Sequence, residues 1–204
     1  ARTHIGDASS LDPDALRAWL VPSGQAPAPL VMGQPGVPPN IRILKSVSRV
    51  PWSGHSSLYA IPELYEELRK AKLALVFVNT RSQAEMVFQS LWEANEDHLP
   101  IALHHGSLDV GQRRKVETAM AEGRIRAVVC TSTLELGIDW GDVDLVIHVG
   151  APKGSSRLLQ RIGRSNHRLD APSEALLVPS NRFEVLECEA ALQAAKANAQ
   201  DTEY

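Results

Sequence analysis

LALVFVNTRSQAEMVFQSLWEANEDHLPIALHH, residues 73–105, changes its periodicity twice. Leu73 to Val78 is a continuous apolar run of strand length, the pattern of a strand covered on both faces. From Arg81 to Glu96 the apolar residues Ala84, Val87, Phe88, Leu91 and Trp92 recur at helical spacing, which predicts a helix with all five toward the core. Ile101 to His104 is short and apolar again, a second strand.

The same rhythm continues toward the C-terminus. Asp109 is placed to cap a helix running through Val116 and Met120, and Gly123 to end it in the left-handed conformation. Ile125–Cys130, Leu145–Val149 and Ala175–Val178 read as further buried strands, and Arg182–Ala197 as an Ala-rich helix. Toward the N-terminus, Leu58–Lys72 reads as a helix whose regular part starts at Pro62. Ile41–Val50 alternates like a strand, and PWSGHSS, residues 51–57, is a loop. Residues 21–40 hold six of the thirteen prolines and read as a linker or crossover. Before them Leu11–Leu20 predicts a short helix, with Asp12 as its cap and Pro13 in its first position. Strands alternating with helices predict an α/β fold of three layers, a mainly parallel central sheet with helices on both faces. Such a sheet binds ligands at the carboxyl ends of its strands.

Composition narrows the class. With 204 residues, 44% hydrophobic and 22% charged, the chain is long enough for a substantial core. A formal net charge of -3 excludes binding to a polyanion through bulk charge alone. Cys130 and Cys188 have no Cys-x-x-Cys or Cys/His spacing, which argues against zinc and suits a reducing compartment. No run of eighteen apolar residues and no signal-like start occurs, so neither a membrane span nor a secretory leader is expected, and the expected location is cytoplasmic. The sequence opens at ARTHIGD without Met, which suggests a piece of something longer.

Local charge is another matter. Between Asp144 and Asp170 there is no carboxylate, while Lys153, Arg157, Arg161, Arg164 and Arg168 are basic. A continuing helix would put the four arginines on one face, a repulsive arrangement that a purely structural helix would interrupt with Glu. A solvated basic face is the other reading, and Gly163 is placed to end the helix and turn Arg164 and Arg168 elsewhere. The predicted strand ends add Asn79-Thr80-Arg81, His105-Gly106-Ser107, Thr131-Ser132-Thr133 and Gly150 through Ser156. Hydroxyls, amides and cations at successive strand ends are the inventory that tracks a phosphate backbone. His104 and His105 lack a ligand-type partner at metal-site spacing, so no metal site is expected. Asp142 and Asp144 read as turn residues. Trp52 and His55 could stack on a base, although a loop tryptophan more commonly covers an edge of the core.

FVNTRSQAE from Phe77, HHGSL from His104, the helix Gln112–Met120, TSTLELGID from Thr131 and QRIGR from Gln160 occur in the order and approximate spacing of one family. They resemble the second RecA-like domain of superfamily 2 helicases. WSGH, DWGDVD, GAPKGSSRLLQRIGRSNHRLD and PSEA narrow the resemblance to the large helicase-related (Lhr) family, in particular its ligase-associated DEXH-box branch. It covers the chain from about Ile41 onward. Residues 1–40 would then be the segment leaving a preceding RecA-like domain plus a linker, and residues 41–204 the second RecA-like domain.

The resemblance implies an ATP-dependent helicase or translocase working on single-stranded nucleic acid, DNA in this family, associated with the nucleoid. Asn79, Thr80, Arg81, Gly106, Ser107, Thr131 and, less directly, Lys153 would line the nucleic-acid track. Gly137, Asp139, Gln160 and Gly163 would face the nucleotide, with Arg164 as the arginine finger. Where many relatives carry a second arginine, His167 stands here and Arg168 follows, so either Arg168 acts as a second finger or Arg164 acts alone.

The sequence contains no GxxxxGK[ST] phosphate loop and no DExH box. ATP and Mg²⁺ would therefore be held mainly by the first RecA-like domain, and this piece is expected to be inactive alone. Its partners would be that domain, further C-terminal domains of the same protein and the strand itself. The alternative is a non-catalytic nucleic-acid-binding or regulatory module. A dinucleotide enzyme fits the sheet but lacks GxGxxG after a first strand.

Overall fold

In the computed structural model, which describes residues 21, 25–26, 38–54, 56–135, 143–163 and 172–196, the apolar runs become six strands of one sheet. They are β1 (Asn40–Ile43), β2 (Ala74–Phe77), β3 (Ile101–His104), β4 (Ala127–Cys130), β5 (Leu145–Val149) and β6 (Glu174–Val178). The helices are α1 (Ile61–Lys70), α2 (Arg81–Glu93), α3 (Val110–Ala121), α4 (Ser155–Ile162) and α5 (Arg182–Lys196). The strand order is β1-β6-β5-β2-β4-β3, and every neighbouring pair is parallel.

Alternate residues of each buried strand serve opposite faces. Ala74, Val76, Val129, Ile147, Val149 and Leu176 pack against Leu64 and Leu68 of α1 and Ala84, Val87 and Leu91 of α2. Leu75, Phe77, Val128 and Val146 meet Met120 of α3, while Ala175 and Leu177 meet Leu158 and Ile162 of α4 and Cys188 of α5. The arrangement is the three-layer α/β architecture that the strand rhythm predicts, and the RecA-like fold that the resemblance implies. Among the described residues, no helix is long and apolar enough to cross a membrane.

Local signals place the elements. The Thr80 hydroxyl accepts the Gln83 N–H at 3.2 Å and starts α2; Asp109 accepts the Gly111 N–H at 2.7 Å and starts α3. Gly123, at φ +65°, follows the last turn of α3. Asp144 is the turn residue expected of it: its carboxylate accepts the backbone N–H of Lys72 and of Leu73, tying the entries of β2 and β5 together.

Two expectations are corrected. β1 stops at Ile43 instead of Val50, because Ser46 Oγ and the Val47 N–H both donate to Glu63 of α1, at 2.7 and 2.8 Å, and commit the chain to the helix. Trp92 is not core; it is 59% exposed, with Phe88 beside it at 6.0 Å between ring centroids. The stripe that α2 buries consists of Gln83, Ala84, Val87 and Leu91, and Trp92 lies about 100° further round the helix than Leu91. The expected helix Leu11–Leu20 and His55 lie outside the described residues.

Candidate nucleic-acid interface

Parallel strands bring all their carboxyl ends to one edge, and the strand order decides which of them are neighbours. From β5 outward the edge carries Gly150 to Gly154, then Asn79, Thr80 and Arg81 after β2, Thr131 after β4, and Gly106 and Ser107 after β3. Thr80, Arg81, Gly106, Ser107 and Lys153 are exposed, and Asn79 and Thr131 are half-buried. Arg81 Nη1 donates to Ser107 Oγ at 3.3 Å, joining the residues after β2 to those after β3. The Thr131 N–H donates to the His104 carbonyl at 3.3 Å, holding the turn after β4 against β3. Strands stand about 4.8 Å apart, so this four-strand row is roughly 14 Å long.

The chain reverses its order of strand addition between β2 and β5, which makes that junction the switch point of the sheet. Asn79 bridges it by donating from Nδ2 to the Ala151 carbonyl at 3.0 Å. Gly150 adopts φ +91°, and a Cβ there would stand 3.0 Å from Asn79 Nδ2. Glycine meets both demands at once, and the turn can lie close over the crevice.

Under the row lies a buried charged cluster. Arg161 is 2% exposed, and its Nε donates to Glu135 Oε1 at 2.7 Å. Its Nη1 meets His148 Nε2, and the guanidinium lies over the Phe77 ring, 4.9 Å from the centroid. The cluster links α4 to the turn after β4, to β5 and to β2. Arg161 is thus no part of a solvated basic face, whereas Arg157 remains exposed. The solvated-face alternative is corrected at this position, and the helix ends at Ile162, where Gly163 is placed to stop it. The signal was present, because Arg161 follows Leu158 by three and precedes Ile162 by one, so the apolar stripe of α4 passes through it.

His148 completes the set. Its Nδ1 lies 3.1 Å from the Gly150 carbonyl, so the neutral ring donates there and accepts from Arg161 at Nε2. Burial first and the Arg161 charge second push its pKa down to about 3. Between about pH 3 and its ordinary value of 6.5, the unfolded chain binds the His148 proton and the folded chain does not. Stability is therefore full above pH 6.5 and falls as pH drops through that window, with a limiting slope of about 1.4 kcal/mol per pH unit. In chemical denaturation across pH 4–7, His148→Gln is expected to flatten the slope; an unchanged slope would contradict the assignment.

His104 and His105 are buried, and each stands near a carboxylate that the local sequence does not reveal. His104 lies between Thr133 Oγ1 at 2.8 Å and Glu117 Oε1 at 3.1 Å, and His105 Nε2 is 3.4 Å from Glu85 without hydrogen-bond geometry. Burial, outweighing Glu117, lowers the His104 pKa. Among the described residues no three His, Cys, Asp or Glu side chains converge as metal ligands.

Of the residues expected to face a nucleotide, Gln160 and Gly163 are exposed, the former on the last turn of α4 and the latter just after it. Gly137, Asp139, Arg164, His167 and Arg168 lie outside the described residues.

Comparison with known proteins identifies the family of the fold. Residues 58–168, more than half of the chain, match the helicase conserved C-terminal domain. The chain is 41% identical over 128 residues to the ATP-dependent helicase Lhr-Core of Methanocaldococcus jannaschii, covering 61% of this chain and 15% of that protein. It is 48% identical over 90 residues to the Lhr helicase/probable uracil glycosylase of Mycolicibacterium smegmatis, covering 44% of this chain and 6% of that protein. The structure of Mycobacterium smegmatis helicase Lhr bound to ssDNA and AMP-PNP superposes with a TM-score of 0.81 at 30% identity, over 97% of this chain and 26% of that one. The chain thus spans about 15% of the length of its Lhr-Core relative. It belongs to the helicase conserved C-terminal domain family, as an Lhr-like domain of superfamily 2.

Proposed function

We propose that the chain, from residue 41 onward, is the second motor domain of an ATP-dependent helicase or translocase that moves on single-stranded DNA. The observation that carries this reading is the row of hydroxyls, amides and cations on four neighbouring strand ends. DNA is favoured because the Lhr relative of the same fold was captured on ssDNA with a nucleotide analogue.

In this reading Asn79, Thr80, Arg81, Gly106, Ser107, Thr131 and Lys153 follow the strand's phosphates. Gln160, Gly163, Gly137, Asp139 and the finger Arg164, with Arg168 as a second candidate, turn toward a nucleotide held by the first RecA-like domain. The exposed Gln160 amide and the exposed Gly163 suit that approach, since neither blocks a triphosphate with bulk or negative charge. ATP with Mg²⁺ supplies the phosphoryl group whose transfer drives the cycle. This chain's residues position, neutralise and report closure of the two domains. Alone it is expected to bind a strand without hydrolysing ATP.

Titration of single-stranded oligonucleotide at several salt concentrations tests the track in the full-length protein. Lys153→Ala is expected to weaken binding and to reduce the slope of log K against log salt by about 0.7, one phosphate's worth for single strands. Thr131→Ala, which removes a neutral hydroxyl, is expected to weaken binding with the slope unchanged. If both variants bind like wild type at every salt concentration, the row is not the track.

A further inference from the structure

Trp52 and Phe183 are large aromatic side chains that folding leaves in water, 68% and 67% exposed. The loop carrying Trp52 is nonetheless fastened. The Arg182 N–H donates to the Pro51 carbonyl at 3.0 Å, Arg182 Nε to the Val50 carbonyl at 3.3 Å, and Asn181 Nδ2 to the Gly54 carbonyl at 2.9 Å. Asn181 Oδ1 also accepts the N–H groups of Phe183 and Glu184, so the loop is bound to the start of α5. The Arg182 guanidinium lies over the indole, 4.0 Å from the centroid. Covering an edge of the core, the commoner reading of a loop tryptophan, is corrected by this exposure.

Its place in the fold gives the surface a partner. Residues 179–182 leave the carboxyl end of β6, which lies beside β5. The Gly150 N–H donates to the Val178 carbonyl at 2.8 Å, and a Cβ on Gly150 would stand 3.7 Å from Ser180 Oγ. The Trp52 loop therefore extends the row by one strand, next to the turn that carries Lys153. The nearest acidic group on α5, Glu184, accepts the Ser180 N–H at 2.7 Å and is turned to the backbone; Glu187 and Glu189 lie further along the helix.

We propose that Trp52, backed by Arg182, is a stacking platform for an unpaired base of the strand whose phosphates pass Lys153, Asn79 and Thr131. A pinned indole offers a flat face that any base can use, and a guanidinium stacked on it keeps N–H groups free for phosphate. The platform holds one nucleotide in register at the β6 end of the row while the remaining contacts read only the backbone. It rests on the strand-binding reading above.

Two strands of equal phosphate number separate the possibilities in the full-length protein: an oligothymidylate and its abasic counterpart. Trp52→Ala is expected to weaken binding to the oligothymidylate on the order of tenfold and to leave both the abasic strand and the salt slope unchanged. Trp52→Phe, which keeps a stacking face, is expected to retain most of the affinity. Equal losses on both strands would overturn the platform, because phosphates alone would then account for them. No loss on either strand would also overturn it and assign the surface to a protein contact. Failure of the wild-type protein to bind either strand would remove the strand reading and the platform together, whereas an effect of Lys153→Ala without one of Trp52→Ala would remove the platform alone.

Discussion

Arg161→Ala is expected to destabilise the chain by about 3–5 kcal/mol, the range for breaking a buried ion pair by deleting one partner. The magnitude follows from what is left behind. Glu135, 7% exposed, would keep a carboxylate with its principal donor gone, and among the described residues the cation that remains within reach, Arg157 Nε at 3.9 Å, is itself exposed. His148 Nε2 would lose its donor, and the Phe77 ring the guanidinium that covers it. Glu135→Ala is expected to cost a similar amount. The double variant Glu135→Leu/Arg161→Met should cost far less than the sum, since no unpaired charge then remains buried. Urea denaturation of the four proteins measures all three numbers. A loss below about 1 kcal/mol for Arg161→Ala would show that the pair is solvated and not buried.

The same pair has a positional consequence. Glu135 precedes Gly137 by two residues and Asp139 by four, and Arg161 precedes Arg164 by three. In the proposed motor the pair therefore anchors the roots of both nucleotide-facing stretches to one point under the sheet.

The central strands β2 and β4 were legible because they are buried on both faces and show it as unbroken apolar runs; Leu75, Val76, Val128 and Val129 left no other reading. The helix starts at Thr80 and Asp109 were legible because capping is local chemistry. What depended on contacts far along the chain was not legible. Glu63 ends β1 from a helix about twenty residues away, Glu117 reaches His104 from α3 thirteen residues on, and Thr133 reaches it only once β3 and β4 are paired. The track residues were legible as chemistry at strand ends, but their order along the edge required the topology, which places β4 between β2 and β3 and brings β6 beside β5. The burial of Arg161 was not legible because a basic residue within an arginine-rich helix gives no local sign of it, and its buried partner lies 26 residues upstream. The exposure of Trp52 was not legible for the same reason: the residues that pin its loop, Asn181 and Arg182, are some 130 positions away.

Arg164→Ala is expected to have the largest functional effect, a loss of ATP turnover on the order of 10³–10⁵-fold, the worth of an arginine finger supplied across an interface. The transferring γ-phosphoryl group gathers charge on its equatorial oxygens, and phosphoryl transfer depends more on neutralising that charge than on covalent help. A cation delivered by a separate domain does so only when the domains close, which links each hydrolysis to one closure. In the proposed motor the finger meets the nucleotide and not the strand, so its loss should leave strand affinity intact.

The most direct measurement is strand-stimulated ATP turnover by the full-length protein, wild type against Arg164→Ala, with oligonucleotide affinity determined on the same samples. The motor reading predicts turnover reduced by about 10³-fold or more with affinity unchanged. Turnover within a few-fold of wild type would contradict it.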